Sequence, residues 1–479
     1  MARVSATVSA TPAPARTADL FAPDLRGLTL GLVSTITLVA LESLAIGTVM
    51  PIVTEELGDL ALYGWVYSAF FLGNLVGIVL AGGALDRMPL HRPFAAGLGL
   101  FALGLLGGGL APSMPVLVLA RFVQGLGGGA VGPTAYTAIG RCLPERLQPR
   151  MFAMLSTAWV VPGIIGPTLA AVVGELTSWR WVFLGLLPML LVAGGLAIRA
   201  LRRVEGSRSD GAAGGHGTGA RFIRAVAAAG GAGLLVAALG ATAPLVIIVG
   251  ALVGAAILVP AFRSLTPPGT LLLAVGVPAA VMLRGVMTFA FFASDAYIPL
   301  LLQTWRGTPA TLTGVVFTAT TVAWTAGTWF QARHIDRRGP VVFVALGFAA
   351  VGVGAALTLP VLIGGVPPEI AILTWIPPGI GMGLMYSAVT LVVLRGVGQA
   401  QQGTASSSIQ LADILGTALG TGVAGAITAA GERAGPDGLG WALAAVFSMT
   451  LVASVLGLAG SRRVGPASPA MDGQGAAVD

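Results

Sequence analysis

"GGALDRMPLHRP", residues 82–93, is a short charged break between two apolar runs, near 63–84 and 93–112. Each run supplies the roughly 20 residues that a helix needs to cross a hydrocarbon core at about 1.5 Å per residue. Lipid offers no partner to an open backbone, so each run must be helical. Working outward, the same alternation recurs near 27–52, 115–140, 150–175, 180–200, 222–241, 243–262, 278–303, 309–332, 340–360, 369–394, 403–430 and 438–461. The expectation is an all-α integral membrane protein with fourteen transmembrane helices.

Composition agrees. Of 479 residues, 56% are hydrophobic and 9% charged, where a soluble domain carries about 25% charged residues. The net charge is +7, and all 26 basic residues are Arg. They are scattered through short loops rather than gathered on one soluble face, which excludes a nucleic-acid footprint. Arg87, Arg92, Arg141, Arg146, Arg150, Arg202, Arg203, Arg333, Arg337, Arg338, Arg462 and Arg463 fall on the side of the chain ends, whereas Arg180, Arg306 and Arg433 fall on the other. By the positive-inside rule both termini are expected in the cytoplasm and the protein in the cell (inner) membrane.

The Ala/Ser/Thr/Pro-rich start lacks the apolar core of a signal peptide. Residues 1–26 and 464–479 are expected as disordered cytoplasmic tails. The layout suggests a six-helix unit over 27–202, a linker with two extra helices over 203–268, and a second six-helix unit over 269–463. "TPPGTLLLAVGVP" (266–278) reads as a short helix along the cytoplasmic face. That places Arg284 near the inner end of the ninth span, within snorkelling reach of headgroups. Cys142, the single cysteine, can form no disulfide within the chain and reads as a bystander. His91, His216 and His334 lie in loops, so no metal site is expected. With no Lys and no G-x-x-x-x-G-K-[ST], ATP-driven transport within the chain is not expected, and no cofactor is implied.

A weak repeat supports duplication. Glu42 lies within the first span and Asp86-Arg87 follows the second; Asp295 lies within the ninth and Asp336-Arg337 follows the tenth. Duplicated transporters place their substrate between the repeats. Glu42, Asp295 and Asp413 are acids inside the bilayer, where ionisation is expensive and the protonated form is favoured. A group neutral when sealed and ionised when wet can carry a proton, so these three, with the intramembrane Arg121, are candidates for proton coupling. The alternative is structural: a hydrogen-bonded acid, or a pair with Arg121 or Arg284. Phe289, Phe292 and Tyr297 surround Asp295 in "MTFAFFASDAYIP" (287–299), and Trp159, Trp324, Tyr386 and Gln410 also fall within spans. Aromatics beside an acid suit lipophilic cations, though each also serves ordinary packing.

Several of these stretches resemble the major facilitator superfamily. Gly82, Asp86, Arg87 and Arg92 resemble its loop signature G-x-x-x-D-R-x-G-R-R, with Pro89 where Gly is usual; "DRRGP" (336–340) repeats Asp336, Arg337 and Gly339. The resemblance implies that these loops latch the inward-closed state. In "LARFVQGLGGGAVGPTAYTAIGR" (119–141), Arg121, Gln124, Gly125, Gly127 and Gly129 resemble the R-x-x-x-G motif linked to proton transfer. Gly163, Gly166, Pro167 and Gly174 resemble the antiporter signature G-x-x-x-G-P-x-x-G-G, with Ala170-Ala171 in place of its last pair. "SWRWVFLGLLP" (178–188) and "LVALESLAIGTVMPIV" (38–53) resemble the fourteen-span drug:proton antiporter branch, with Glu42 standing for its usual Asp. Trp179 and Trp181 are also ordinary interfacial anchors.

The resemblance implies two six-helix bundles with pseudo-twofold symmetry, two extra central helices, and alternating access. It implies export of a lipophilic or cationic small molecule against entering protons, by a monomer in the bilayer. Two other readings stay open: an exporter or symporter of a metabolite, lipid or siderophore, and a non-transporting scaffold. No Ser/His/Asp or metal constellation suggests an enzyme.

Overall fold

The computed structural model describes residues 17–85, 87–144, 146–206, 218–398 and 401–465. The expected tails therefore fall mostly outside the described residues, as do much of the 203–220 linker and Asp86. Among the described residues the fold is helical with no strands, and twelve helical segments are long and apolar enough to cross a membrane.

The first group of helices comprises α1 (Arg26–Leu57), α2 (Tyr63–Leu85), α3 (His91–Gly109), α4 (Met114–Cys142), α5 (Gln148–Leu176), the short α6 (Arg180–Leu184) and α7 (Leu186–Gly206). A pair follows, α8 (Thr218–Leu239) and α9 (Pro244–Leu265). The second group comprises α10 (Val277–Asp295), α11 (Ala310–Arg338), α12 (Pro340–Thr358), α13 (Ala371–Thr374), α14 (Ile376–Arg395), α15 (Gln402–Arg433) and α16 (Gly438–Gly460). Helices of the first group pack chiefly on one another, as do those of the second. The α8–α9 pair packs on itself and docks through α8 against both α2 and α15. Two seams join the groups, α2 with α15 and α5 with α11.

Both described chain ends lie on one face. Asp19 approaches Arg146 of the α4–α5 turn at 3.7 Å, and Arg463 O accepts from Gly276 N at 2.8 Å. We call this the terminal face.

α3 and α11 are less apolar than those twelve, yet both reach from the terminal face toward the far one. Arg180 reaches Ala111 O beyond the end of α3 on the far face. The Thr311 amide donates to Glu175 Oε1 on that face, at 3.0 Å. Composition explains the difference: α3 opens on His-Arg-Pro and is rich in Gly, and α11 is rich in Thr. In α11 the hydroxyls of Thr320, Thr321, Thr325 and Thr328 bond the carbonyls of Val316, Phe317, Thr321 and Trp324. Such back-bonding satisfies the hydroxyl within the helix, so the segment is less polar than its composition.

Three expectations change. Residues 266–278 form only a 3₁₀ turn, Thr270–Leu272, because Gly269 and Leu273 both adopt left-handed backbone. The twelfth predicted span is broken at Trp375, between α13 and α14. Trp179 is no interfacial anchor: it is buried, and its indole donates to Glu56 Oε2 at 2.7 Å. Trp181 is exposed, as an anchor requires.

The α2–α4 contact shows how sequence sets packing. A Cβ at Gly73 or Gly77 would run into the backbone of Phe122 or Leu126, and one at Gly125 or Gly129 into that of Phe70 or Asn74. Small residues at this spacing let two backbones touch, which dispersion favours where no hydrophobic drive exists. That approach carries Arg121 of α4 up to α2.

Candidate functional site

Arg121 is 2% exposed and Glu42 wholly buried. One guanidinium nitrogen of Arg121 donates to Glu42 Oε1 and, at 2.7 Å, to Gln124 Oε1. Its Nε donates to Val66 O at 3.2 Å, and its carbon lies 4.3 Å from the centre of the Phe70 ring. Arg121 therefore does not snorkel. Desolvating two charges is costly, and the extra acceptors and the ring offset part of that cost. The satisfaction is incomplete. Among the described residues, Glu42 Oε2, Gln124 Nε2, Thr48 Oγ1 and Tyr67 OH are buried without a protein partner.

Asp295 ends α10. Its Oδ1 accepts from the Trp375 indole at 2.9 Å, a neutral donor supplied at the α13–α14 break. Phe291 stacks on Trp375 with centroids 6.2 Å apart and meets Trp324 edge-on at 5.7 Å; Trp324 in turn lies 5.7 Å from Tyr386. This aromatic string leads to the third acid. Asp413 pairs with Arg284 (Nε–Oδ1 3.0 Å, Nη2–Oδ2 3.3 Å) and accepts from Tyr386 OH at 2.9 Å. Arg284 also donates to Tyr386 O at 2.9 Å and lies over the Tyr386 ring. The expectation that Arg284 reaches headgroups is thus corrected: it is buried and committed to Asp413.

The remaining candidates separate. Phe292 is half-buried beside Phe291 and faces Phe71 across the groups at 6.4 Å. Phe289 is half-buried, with its backbone against Gly420. Gln410 is exposed on α15 and Trp159 is 46% exposed on α5. Tyr297 is wholly buried, its hydroxyl donating to Thr421 O at 3.1 Å and its ring 5.1 Å from Tyr63. It belongs to a seal rather than to an open wall.

That seal lies away from the terminal face. Tyr63 donates to Ala296 O at 3.0 Å, Ser68 to Ala418 O at 2.9 Å, and Gln303 to Thr48 O at 2.9 Å. Thr318 donates to Ile164 O at 2.8 Å. Among the described residues, these cross-group bonds lie in the halves of the helices remote from the chain ends. Of the motif glycines of α5, Gly163 lies against Thr321 of α11 in this seam, while Gly166 and Gly174 lie against Leu41 and Val49 of α1 within the first group. Pro167 O and Thr168 back onto Gly314.

On the terminal face Gly82, Arg87 and Arg92 surround the α2–α3 turn, with Arg87 and Arg92 exposed. Arg141 donates to Leu85 O at the end of α2. In the second group Asp336 pairs with Arg395 at 3.5 Å, Arg337 is exposed, and Gly339 takes φ 74° to start α12. A pocket of about 710 Å³ opens beside this turn, lined by Val277, Asp336, Gly339 and Arg395. Glu42, Asp295 and Asp413 are not among its lining residues.

Sequence reading missed Tyr63, Tyr67, Gln303 and Trp375. Tyr63, Tyr67 and Trp375 carry their polar group on an aromatic ring, which raises no alarm in a hydropathy pattern, and Gln303 falls at the very end of the 278–303 run.

The family described as Major Facilitator Superfamily matches residues 32–421. A Mycobacterium tuberculosis protein named "Probable multidrug-efflux transporter" is 26% identical over 438 residues, covering 85% of this chain and 89% of that one. An uncharacterised MFS-type transporter of Bacillus subtilis is 27% identical over 413 residues, covering 83% and 79%. Among solved structures, a peptide transporter in complex with alafosfalin aligns with TM-score 0.68 at 16% identity, covering 91% and 94%; this likeness concerns the fold.

Proposed function

This chain belongs to the Major Facilitator Superfamily and is a transporter, not an enzyme; from that premise we infer that it exports lipophilic or cationic small molecules in exchange for protons. The observation that carries the reading is Asp295: a carboxylate whose one hydrogen-bond donor among the described residues is a neutral indole, beside an aromatic string, in a chain whose relatives include a named multidrug-efflux transporter. Such an acid can hold a proton or attract a cation, and the rings supply a sequence-tolerant apolar wall.

The architecture we propose has fourteen spans. The twelve apolar segments are joined by α3 and α11, which run between the same faces, α11 with its threonine hydroxyls bonded within the helix. Residues 27–202 and 269–463 are the two six-helix bundles, and α8 and α9, within 203–268, brace the α2–α15 seam. The Arg-rich terminal face is cytoplasmic by the positive-inside rule, in the cell membrane. With its seal on the far face, the molecule is then inward-open. The loops around Gly82–Arg92 and Asp336–Gly339 close that face in the opposite state. Rocking of the bundles moves the site between sides, and one proton falling through 100 mV releases about 2.3 kcal/mol.

The test is proton flux into liposomes holding purified protein, under an imposed pH gradient, on adding cationic dyes. Wild type should move protons only with dye, and Asp295→Asn and Glu42→Gln should lose that coupling. Dye-independent flux, no flux with any dye, or full activity in both variants would overturn the reading and favour a metabolite or lipid substrate.

A further inference from the structure

α11 begins without a cap of its own. Its N-cap residue is Pro309, which has no side-chain oxygen, and no acid lies in its first turn. The first amides of a helix have no partner inside it and carry partial positive charge, so they draw an acceptor from elsewhere. Here the acceptor comes from the other bundle. Glu175, in the last turn of α5, accepts from the amide of Thr311, the second residue of α11, at 3.0 Å. Among the described residues Glu175 pairs with no arginine. Glu56, another acid of the far face, is different: its oxygens accept from Arg180 and the Trp179 indole of its own bundle.

An acid in the last turn of a helix is opposed by the carbonyls that end it, so α5 gains nothing from Glu175. The gain falls on α11. Deeper in the molecule the same two bundles stay in contact. Gln303 Nε2 donates to Thr313 Oγ1 at 3.1 Å and across the groups to Thr48 O at 2.9 Å. Gly314 backs onto Pro167 and Thr168, and Thr318 donates to Ile164 O. Glu175 stands at the outer, exposed end of this seam. We propose that Glu175 is the latch of the far face: it caps α11 across the bundles, and only while that face is sealed.

The inference rests on alternating access as read above, and not on protons or on the identity of the substrate. When the bundles part on the far face, the carboxylate leaves and the Thr311 amide returns to water. When they close, the cap re-forms. The sealed state is therefore favoured by the worth of one charged cap, an amount small enough for transport to overcome in every cycle. A cap supplied from within α11 would hold in both states and would remove that bias.

Glu175→Ala removes the cap, and Glu175→Gln keeps an acceptor without the charge. Pro309→Asp gives α11 a cap of its own, because a side-chain oxygen there reaches the amide of the second or third residue. Spin labels at Trp181 and Ile363, exposed on the far face of the first and second bundles, report their separation as a distance distribution. It is measured in liposomes with and without tetraphenylphosphonium, a permanent lipophilic cation. Glu175→Ala should raise the ratio of wide to narrow separations about fivefold, and Glu175→Gln about twofold. In the Pro309→Asp background Glu175→Ala should add nothing further. Equal distributions in wild type and Glu175→Ala overturn the latch while alternating access stands. A Glu175→Ala effect of the same size with Pro309→Asp present places the action of Glu175 outside the cap and also overturns it. One separation in every variant, unmoved by tetraphenylphosphonium, removes movement of this face and the latch with it.

Discussion

The two bundles treat equivalent acids differently. α1 and α10 open their groups, and each carries an acid facing the fourth helix of its own group. In the first, Glu42 meets Arg121; in the second, Asp295 meets Trp375. One acid is neutralised by charge and the other by a single neutral hydrogen bond. The second bundle does contain a buried arginine, but Arg284 pairs with Asp413, about three turns along α10 from Asp295. One acid is thus locked in an ion pair, and the other has no charged partner among the described residues.

The largest effect should come from breaking the locked pair. Removing one partner of a buried ion pair strands the other and costs about 3–5 kcal/mol. Arg121→Ala should therefore lower the melting temperature of the purified protein more than any other variant discussed here. Arg121→Gln with Glu42→Gln should recover part of the loss, since neither charge then remains. If Arg121→Ala melts like wild type, the pair does not hold α1 to α4 and the contrast between the bundles fails.

Asp295→Asn should do the reverse. It removes no ion pair, so thermal stability should stay close to wild type. Dye-coupled proton flux should fall by about a hundredfold, the scale of losing a positioned proton donor. Substantial melting-temperature loss with coupling intact would make Asp295 a structural acid and Glu42 the better carrier.

What the sequence revealed follows from this contrast. Glu42, Arg121, Asp295 and Asp413 were legible because a charge within an apolar run is conspicuous. A pair with Arg121 or Arg284 was legible as an alternative, but not which acid meets which arginine, because Glu42 and Arg121 are 79 positions apart and Arg284 and Asp413 129 apart. Arg284 read as a snorkeller for that reason: its distance from a helix end is local information and its acid is not. The apolar runs also placed every long helix, including α11, although Thr320, Thr321, Thr325 and Thr328 dilute its hydropathy. Hydropathy scores a hydroxyl as exposed to water, whereas the structure returns each one to its own helix. The state of the transporter was illegible, since it depends on which ends of α2, α5, α11 and α15 touch.

Trp375→Phe sharpens the comparison with a smaller change. The aromatic stack on Phe291 and Phe447 can persist, while Asp295 loses its one hydrogen-bond donor among the described residues. Leaving a buried acceptor unsatisfied costs about 1–3 kcal/mol. That cost falls mainly on the ionised form, so Asp295 should hold its proton more tightly. Half-maximal dye transport should shift to higher pH, measured as a pH profile in liposomes. An unshifted profile would show that the indole holds Asp295 in place without setting its charge.

The smallest effect belongs to the exposed pair on the terminal face. Asp336 and Arg395 are 78% and 66% exposed and 3.5 Å apart, and such pairs contribute about 0–1 kcal/mol. Asp336→Asn should leave the melting temperature unchanged. Its influence, if the turn closes the terminal face, lies in the balance between states, where even about 1 kcal/mol changes a population ratio roughly fivefold. Spin labels on the terminal ends of α2 and α15 would report that ratio as a distance distribution. Asp336→Asn should enrich the wider separation, because the closed state loses an acceptor on which its loop contacts depend. A distribution identical to wild type would reduce the second-bundle turn to a carrier of topogenic arginines and leave the first-bundle turn, Gly82–Arg92, to close the face alone.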